Sequence, residues 1–185
     1  MAFLARRVLL AAALALLCAA SQLAAAALQE YQVKAVFLFN FSQFVEWPAD
    51  AFETADSPLT IGVLGKDPFG HFLDDTAKGE LVNGRPLVVR RYRTIDEVDR
   101  CHILFISGSE GPRAGPIFLG LKGRSVLTVR DWEGSTNEGG VVLFLVERGR
   151  VRLRINLEAA KDAKLSISSK LLRAAETVTL GATRR

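Results

Sequence analysis

The chain has 185 residues, of which 49% are hydrophobic, and its formal net charge is +4. This length fits one folded domain with a short extension. The small basic excess excludes a nucleic-acid-binding protein, because such proteins present a clustered basic surface to the phosphate backbone.

Residues 1–26 have the layout of a secretory signal peptide. They contain 22 hydrophobic residues and no acidic residue, and their only basic residues are Arg6 and Arg7, ahead of the apolar run 8–20. That run is short for a bilayer span, which needs roughly 20 residues. Small residues at Ala24 to Ala26 suit signal peptidase. We therefore expect cleavage, export to the periplasm, and a mature single domain at 27–185 that does not span the membrane.

Two cysteines bear on export. Cys18 leaves acylation as a lipoprotein open, although Leu17 stands where that signal needs a small residue. Cys101 is alone in the mature chain, so no internal disulfide can form in a compartment where cysteines usually pair. Its place at the start of an apolar run predicts a buried strand residue. A reactive or intermolecular thiol is the alternative.

The mature chain alternates between helices and short apolar strands. A helix over 28–47 ends before Pro48, because proline cannot continue it and disfavours helical geometry in the residue before it. A second helix begins at Asp67-Pro68, with Asp67 as N-cap. Further helices are predicted over 94–98 and 114–121, and strands over 59–64, 86–90, 103–106 and 125–129. This alternation indicates parallel strands joined by right-handed crossovers.

The pattern changes after Asp131. The apolar runs 141–146 and 151–155 flank the four-residue turn 147–150, which predicts an antiparallel hairpin whose second strand lies at or near a sheet edge. Helices over 157–163, capped by Asn156, and over 169–178 close the chain. The predicted fold is a three-layer α/β domain with a mixed, mostly parallel sheet and a C-terminal antiparallel hairpin plus helices.

Catalytic and metal-binding motifs do not stand out. A zinc site needs three or four convergent ligands, and neither His71 nor His102 has a second histidine or a cysteine at ligand spacing. The phosphate-loop, dinucleotide-binding and nucleophile-elbow patterns are not matched. We therefore predict no enzyme activity, no catalytic residue, no metal and no cofactor.

The carboxyl ends of the parallel strands are the predicted place for a pocket, since ligands of α/β sheets bind there. Three loops follow these ends, and they supply the pocket candidates Lys66, Asp67, Ser107, Ser109, Glu110 and Asp131. One interpretation is an acidic cluster formed by the three carboxylates. The other is that they are helix caps and solvated loop residues.

The first helix offers the clearest partner surface. At 100° per residue most of its apolar side chains share one arc, and its amides lie opposite. Val36 and Phe39 interrupt or border the polar face, which predicts a partner-binding surface of Val36, Phe39, Asn40 and Gln43. Cover by other segments of the chain is the alternative.

Two charged residues of this helix lie inside its apolar arc. Glu30 and Lys34 are four residues apart, in the order that favours an ion pair. They form either a pair within the apolar arc or two solvated side chains at a frayed helix start.

Several segments together resemble the YfiR family of exported bacterial regulators. They are residues 31–41, Phe44-Val45-Glu46-Trp47-Pro48, 61–65, Asp67-Pro68-Phe69-Gly70, 101–107, Gly139-Gly140, 151–156 and 167–172. The resemblance implies a periplasmic α/β protein that binds the periplasmic region of an inner-membrane diguanylate cyclase, restrains it, and lowers cyclic-di-GMP and biofilm formation. Founding members hold several cysteines in disulfides, whereas the mature chain has Cys101 alone, so redox control is not carried over.

The sequence thus favours a regulator over an enzyme. A periplasmic small-ligand-binding module without a cyclase partner is the alternative, and self-association into a homodimer stays open. Stabilisation against heat by a metabolite alone would favour the ligand module.

Overall fold

The computed structural model describes residues 25–132 and 139–178. The predicted signal peptide therefore lies outside the described residues, apart from its last two. Among the described helices, none is both long enough and apolar enough to cross a membrane.

Five α-helices are described. Helix α1 covers residues 25–44. The others are α2 (Phe72–Ala77), α3 (Ala114–Gly120), α4 (Leu157–Asp162) and α5 (Ser169–Ala174). Short 3-10 helices cover Ala49–Ala51, Ile95–Glu97 and Gly108–Arg113.

The described strands form one large and one small sheet. They are β1 (Val45–Glu46), β2 (Leu59–Leu64), β3 (Leu81–Val82), β4 (Arg85–Tyr92), β5 (Ile103–Ile106), β6 (Leu127–Arg130), β7 (Val142–Glu147), β8 (Arg150–Asn156), β9 (Ser166–Ile167) and β10 (Glu176–Val178). The large sheet has the order β10-β8-β7-β6-β5-β2-β4-β3, and β1 pairs with β9 in the small one. Only the pairs β7-β8 and β3-β4 of the large sheet are antiparallel within the described chain. The mixed, mostly parallel sheet is confirmed.

Helices cover both faces of this sheet, as a three-layer fold requires. Side chains alternate along a strand, and in β5 Ile103 and Phe105 join the larger core with α1 and α2, while Leu104 and Ile106 join a smaller core with α3. All four are 0% exposed. Burial on both faces explains why the strand reads as a continuous apolar run.

The first helix is three residues shorter at its end than its periodicity predicts. Val45 and Glu46 are a strand, paired antiparallel with Ile167 and Ser166. Pro48 disfavours helical geometry just before it, and the β-branched Val45 suits a strand. The pairing partner lies more than 100 residues away, so local pattern alone missed it.

Two tight turns differ from the sequence-based prediction, one in its length and one because it was not predicted. The C-terminal turn has two residues, Arg148 and Gly149, and not four, because Glu147 pairs directly with Arg150. Both turn residues have positive φ, of 51° and 72°, as a type I′ turn requires. The same geometry at Asn83 and Gly84 joins β3 to β4 in a hairpin that was not predicted, although Asn-Gly is the strongest short hairpin signal in a sequence.

Two other helices begin or end at residues different from those predicted. The helix expected at Asp67-Pro68 begins instead at Phe72, since Gly70 has a φ of 56° that a right-handed helix excludes. The last helix ends at Ala174, and Glu176 to Val178 pair in parallel with β8. By contrast, α4 begins as predicted, with Asn156 Oδ1 accepting the Ala159 N–H at 3.1 Å.

Candidate functional site

The loops predicted to form a pocket meet at one edge of the sheet. Strands β2, β5 and β6 run parallel and are neighbours, so the loops after Leu64, Ile106 and Arg130 leave from the same side. This edge is called the carboxyl edge below. The six pocket candidates divide there into three groups.

The first group is Lys66, Ser107, Ser109 and Glu110. The backbone N–H of Lys66 donates to Ser109 Oγ at 3.0 Å, and that hydroxyl donates to Glu110 Oε1 at 3.2 Å. Ser107 Oγ accepts the Ser109 N–H at 3.4 Å. Gly65 makes the approach possible, because a Cβ there would lie 2.6 Å from Ser109 Oγ and from Glu110 Oε1.

Glu110 is buried but not without a counter-ion. The residue is 4% exposed, and its Oε2 lies 2.8 Å from Arg113 Nη2. The side chain of Arg113 is 62% exposed, so the pair connects a buried carboxylate to the surface.

The second group is Asp67 with Arg91. Asp67 Oδ1 accepts the Phe69 N–H at 2.7 Å, and Oδ2 accepts from Arg91 Nε at 2.8 Å. Arg91 also donates to Asp74 and to the Gly70 carbonyl. The Arg91 guanidinium lowers the pKa of the Asp74 carboxyl. Asp67 thus closes a turn between β2 and α2.

The third group links Asp131 to α1. Asp131 Oδ2 accepts from Tyr31 Oη at 2.9 Å and from Lys34 Nζ at 3.3 Å, and Lys34 Nζ also donates to Glu30 Oε1 at 2.5 Å. The side chains of Lys34 and Asp131 are 3% and 4% exposed. Burial, and next the Asp131 charge, raise the pKa of Tyr31. These four residues are called the Lys34 cluster.

The Lys34 cluster decides between the two sequence interpretations of Glu30 and Lys34. They form an ion pair within the apolar arc, and Lys34 is not solvated. The signal in the sequence was a lysine inside that arc. Its second partner could not be read from the sequence, because Asp131 lies 97 residues away.

The three carboxylates of the carboxyl edge therefore have separate basic partners, Arg91, Arg113 and Lys34. In the described chain, no group of three or more His, Cys, Asp and Glu side chains is placed to hold a metal ion.

The outer face of α1 carries the predicted partner surface. Val36 is 50% exposed and Gln43 is exposed, while Asn40 is half-buried. Phe39 is also half-buried, and it packs against the larger core. Val33, at 40% exposure, lies on the same side of the helix and was not among the candidates.

The surroundings of Cys101 are those of a buried structural residue and not of a reactive thiol. It is 5% exposed, and its Sγ donates to the Ile103 carbonyl at 3.1 Å. Burial raises the pKa of the thiol to about 12. A thiol with so raised a pKa is a poor nucleophile at neutral pH.

Comparison with known proteins gives one result for most of the chain. Residues 31–176, which are 146 of the 185, match a family model described as YfiR/HmsC-like. The matched range includes the Lys34 cluster apart from Glu30, the carboxyl edge and the outer face of α1 from Val33 to Gln43. The comparison with curated proteins finds no match.

Proposed function

The chain belongs to the YfiR/HmsC-like family, and we propose on that basis that it is a non-catalytic periplasmic regulator of a diguanylate cyclase. In this proposal the protein binds the periplasmic region of an inner-membrane cyclase and restrains it, which lowers cyclic-di-GMP and biofilm formation. Family membership supports regulation of diguanylate cyclases in general terms. That the protein restrains an inner-membrane cyclase by direct contact, and that the contact surface lies on α1, is our inference beyond that support.

The observation that carries the contact surface is the exposure of Val36 on α1. Half of this apolar residue faces solvent, on a helix whose opposite face holds Ala35, Leu38 and Phe41 at 0% exposure. The helix is therefore held firmly while its outer face stays open. Asn40 and Gln43 border Val36 with amides, which form hydrogen bonds at the rim of an interface.

Val36→Glu tests this surface better than a change at Phe39, which packs against the core. A charge placed in an apolar contact without a partner typically costs several kcal/mol of binding. The variant should melt like the wild type, because an exposed position tolerates substitution. It should fail to lower cyclic-di-GMP when it complements a deletion strain that carries the partner cyclase.

Leu119→Glu is the matched control, since Leu119 is 72% exposed and lies on α3. It should restore repression. Repression by a folded Val36→Glu would place the contact elsewhere. If deletion of the gene leaves cyclic-di-GMP unchanged in a strain known to carry the cyclase, the proposal that the protein regulates a cyclase is contradicted.

A second candidate function is a periplasmic small-ligand-binding module. One observation favours it, a pocket beside the buried His102. It differs from the regulator in needing no cyclase, so a small molecule alone should raise the melting temperature.

A further inference from the structure

A groove of about 680 Å³ with mostly apolar walls lies between the amino end of α1 and the turn of the β7-β8 hairpin. It is called the hairpin groove below. Val33 and Phe37 line it from α1, and Val146 and Val151 line it from the hairpin. Val146 is 51% exposed. Glu30 also lines the groove, but its carboxylate is paired with Lys34. The described chain thus leaves an apolar surface open here.

Beside the hairpin groove, the start of β8 is an open edge of the sheet. The backbone N–H and C=O groups of successive strand residues point to opposite sides of the strand. Asn156 donates to the Val141 carbonyl on the β7 side, so Val151 presents its backbone groups to the outer side. On that side β10 pairs only with the last three residues of β8, 154–156. No described strand therefore pairs with Val151, and an edge of this kind accepts a strand from another chain.

The open edge is basic on one face. Four arginines lie in the turn and on β8, namely Arg148, Arg150, Arg152 and Arg154. The three on β8 share one face of the strand, and Val151 lies on the opposite face, towards the hairpin groove. None of the four forms an ion pair within the described residues, although Glu147 stands opposite Arg150. The edge therefore combines uncompensated positive charge on one face with an apolar groove beside the other.

This pattern selects what can pair with the edge. A second copy of the chain, pairing antiparallel through the same strand, would place arginine opposite arginine on one face. Like charges directly opposite each other destabilise a sheet. An extended segment in which acidic and apolar residues alternate fits both faces, because residues opposite each other in neighbouring strands share a face.

We propose that the start of β8 and the hairpin groove bind an extended acidic segment of a partner protein, which adds to the sheet as a strand. Its backbone pairs with Val151, its acidic side chains face Arg150 and Arg152, and its apolar side chains enter the hairpin groove. This inference goes beyond the proposed function, since it assigns a separate surface by the chemistry of the segment and needs no cyclase.

A short synthetic peptide of alternating glutamate and valine is the probe. Its controls are a peptide with the same residues in two blocks and a peptide of alternating lysine and valine. The full mature protein, labelled with ¹⁵N, is titrated with each and followed by NMR. The glutamate-valine peptide should bind saturably and slow hydrogen exchange of the Val151 amide by about tenfold or more, because that N–H gains a partner. The block peptide should bind more weakly, since its carboxylates cannot all face the arginines.

Arg152→Glu tests the charge complementarity. Arg152 is exposed, so the variant should melt like the wild type. It should weaken binding of the glutamate-valine peptide by about tenfold or more and strengthen binding of the lysine-valine peptide. Arg152→Gln, which adds no charge, should have a smaller effect in the same direction. Arg93→Glu is the matched control, because Arg93 is exposed and follows β4 near the other end of the sheet. It should leave the affinity unchanged.

Each other outcome overturns the proposal. Binding without slower exchange at Val151 means that no strand is added. Equal binding of the alternating and block peptides means general attraction of charge, and unchanged affinity in both Arg152 variants means that the arginines do not select the segment. Binding to vesicles of anionic phospholipid, but to none of the peptides, would assign the arginines to a membrane surface instead. Since no cyclase is present, the result is independent of the regulator proposal.

Discussion

Lys34 is the only basic residue within residues 25–44 of α1, and 2% of it is exposed. It is surrounded by Glu30, Asp131 and the rings of Tyr31 and Phe144, whose centroids lie 4.5 and 5.7 Å from Nζ. A buried ion pair adds little net stability, because desolvation offsets the attraction. Removing one member of the pair is costly, because the charge of the other member stays buried without a partner.

Lys34→Met should therefore destabilise the protein by about 3–5 kcal/mol, because Asp131 keeps its charge without a cation. The double variant Lys34→Met with Asp131→Asn should be more stable than Lys34→Met alone, since neither charge remains and the amide oxygen still accepts from Tyr31. Urea unfolding of the double-mutant cycle measures the difference.

Lys122→Met, at an exposed lysine, should change the free energy of unfolding little. A coupling energy near zero between Lys34 and Asp131 would mean that water solvates both groups.

The lowered pKa of His102 makes the stability of the protein depend on pH. Its ordinary pKa is near 6.5, and burial, with a smaller effect of the Arg85 charge, lowers it to about 4 in the folded protein. Between these values the unfolded chain binds a proton that the folded chain does not. This contribution to stability is present above pH 6.5 and is lost as the pH falls towards 4.

The expected loss between pH 7 and pH 4 is about 3 kcal/mol, at roughly 1.4 kcal/mol per pKa unit. Urea unfolding over this range measures it, and an NMR titration of His102 in the folded protein gives its pKa directly. His71→Gln should leave the pH dependence unchanged, because His71 is exposed. A His102 pKa near 6.5 would contradict the prediction.

At the scale of elements, the Lys34 cluster sets the rotation of α1 about its axis. The contact of Lys34 with Asp131 at the carboxyl edge and the burial of Leu38 and Phe41 fix the same arc inward. Val33, Val36 and Gln43 are consequently turned to solvent. The proposed partner surface is thus a consequence of buried contacts on the other side of the helix.

Helix α4 has only six residues, so its N-cap matters more than in a long helix. Asn156→Ala removes the acceptor of the Ala159 N–H and should cost about 1 kcal/mol. Asn156→Ser should recover most of that loss, because serine caps nearly as well. Thermal unfolding compares the three proteins. Equal destabilisation by alanine and serine would show that the loss of stability does not come from the cap hydrogen bond.

At the scale of the whole molecule, the remaining prediction is export. The signal-peptide pattern at residues 1–26 predicts a periplasmic mature protein that starts near Ala27 with a free N-terminus. N-terminal sequencing of the periplasmic fraction checks this. A retained leader, or acylated Cys18, would contradict it.

The sequence alone determined the features that depend on local pattern. The apolar runs at 59–64 and 103–106 coincide with β2 and β5, and Asn156 caps α4 as its type and position predict. The outward place of Val36 also follows from the helical period. These features need only neighbours within a few residues, which the sequence shows directly.

Only the tertiary structure decided features whose partners are distant along the chain. Pairing with Ser166 and Ile167 made Val45 and Glu46 a strand, and pairing with β8 made 176–178 another. Asp131 reached Lys34 rather than a shared acidic site, and His102 was left with an unpartnered Nε2. Hydrogen bonds and burial between such distant segments arise only once the chain is folded, because no local pattern specifies which segments meet.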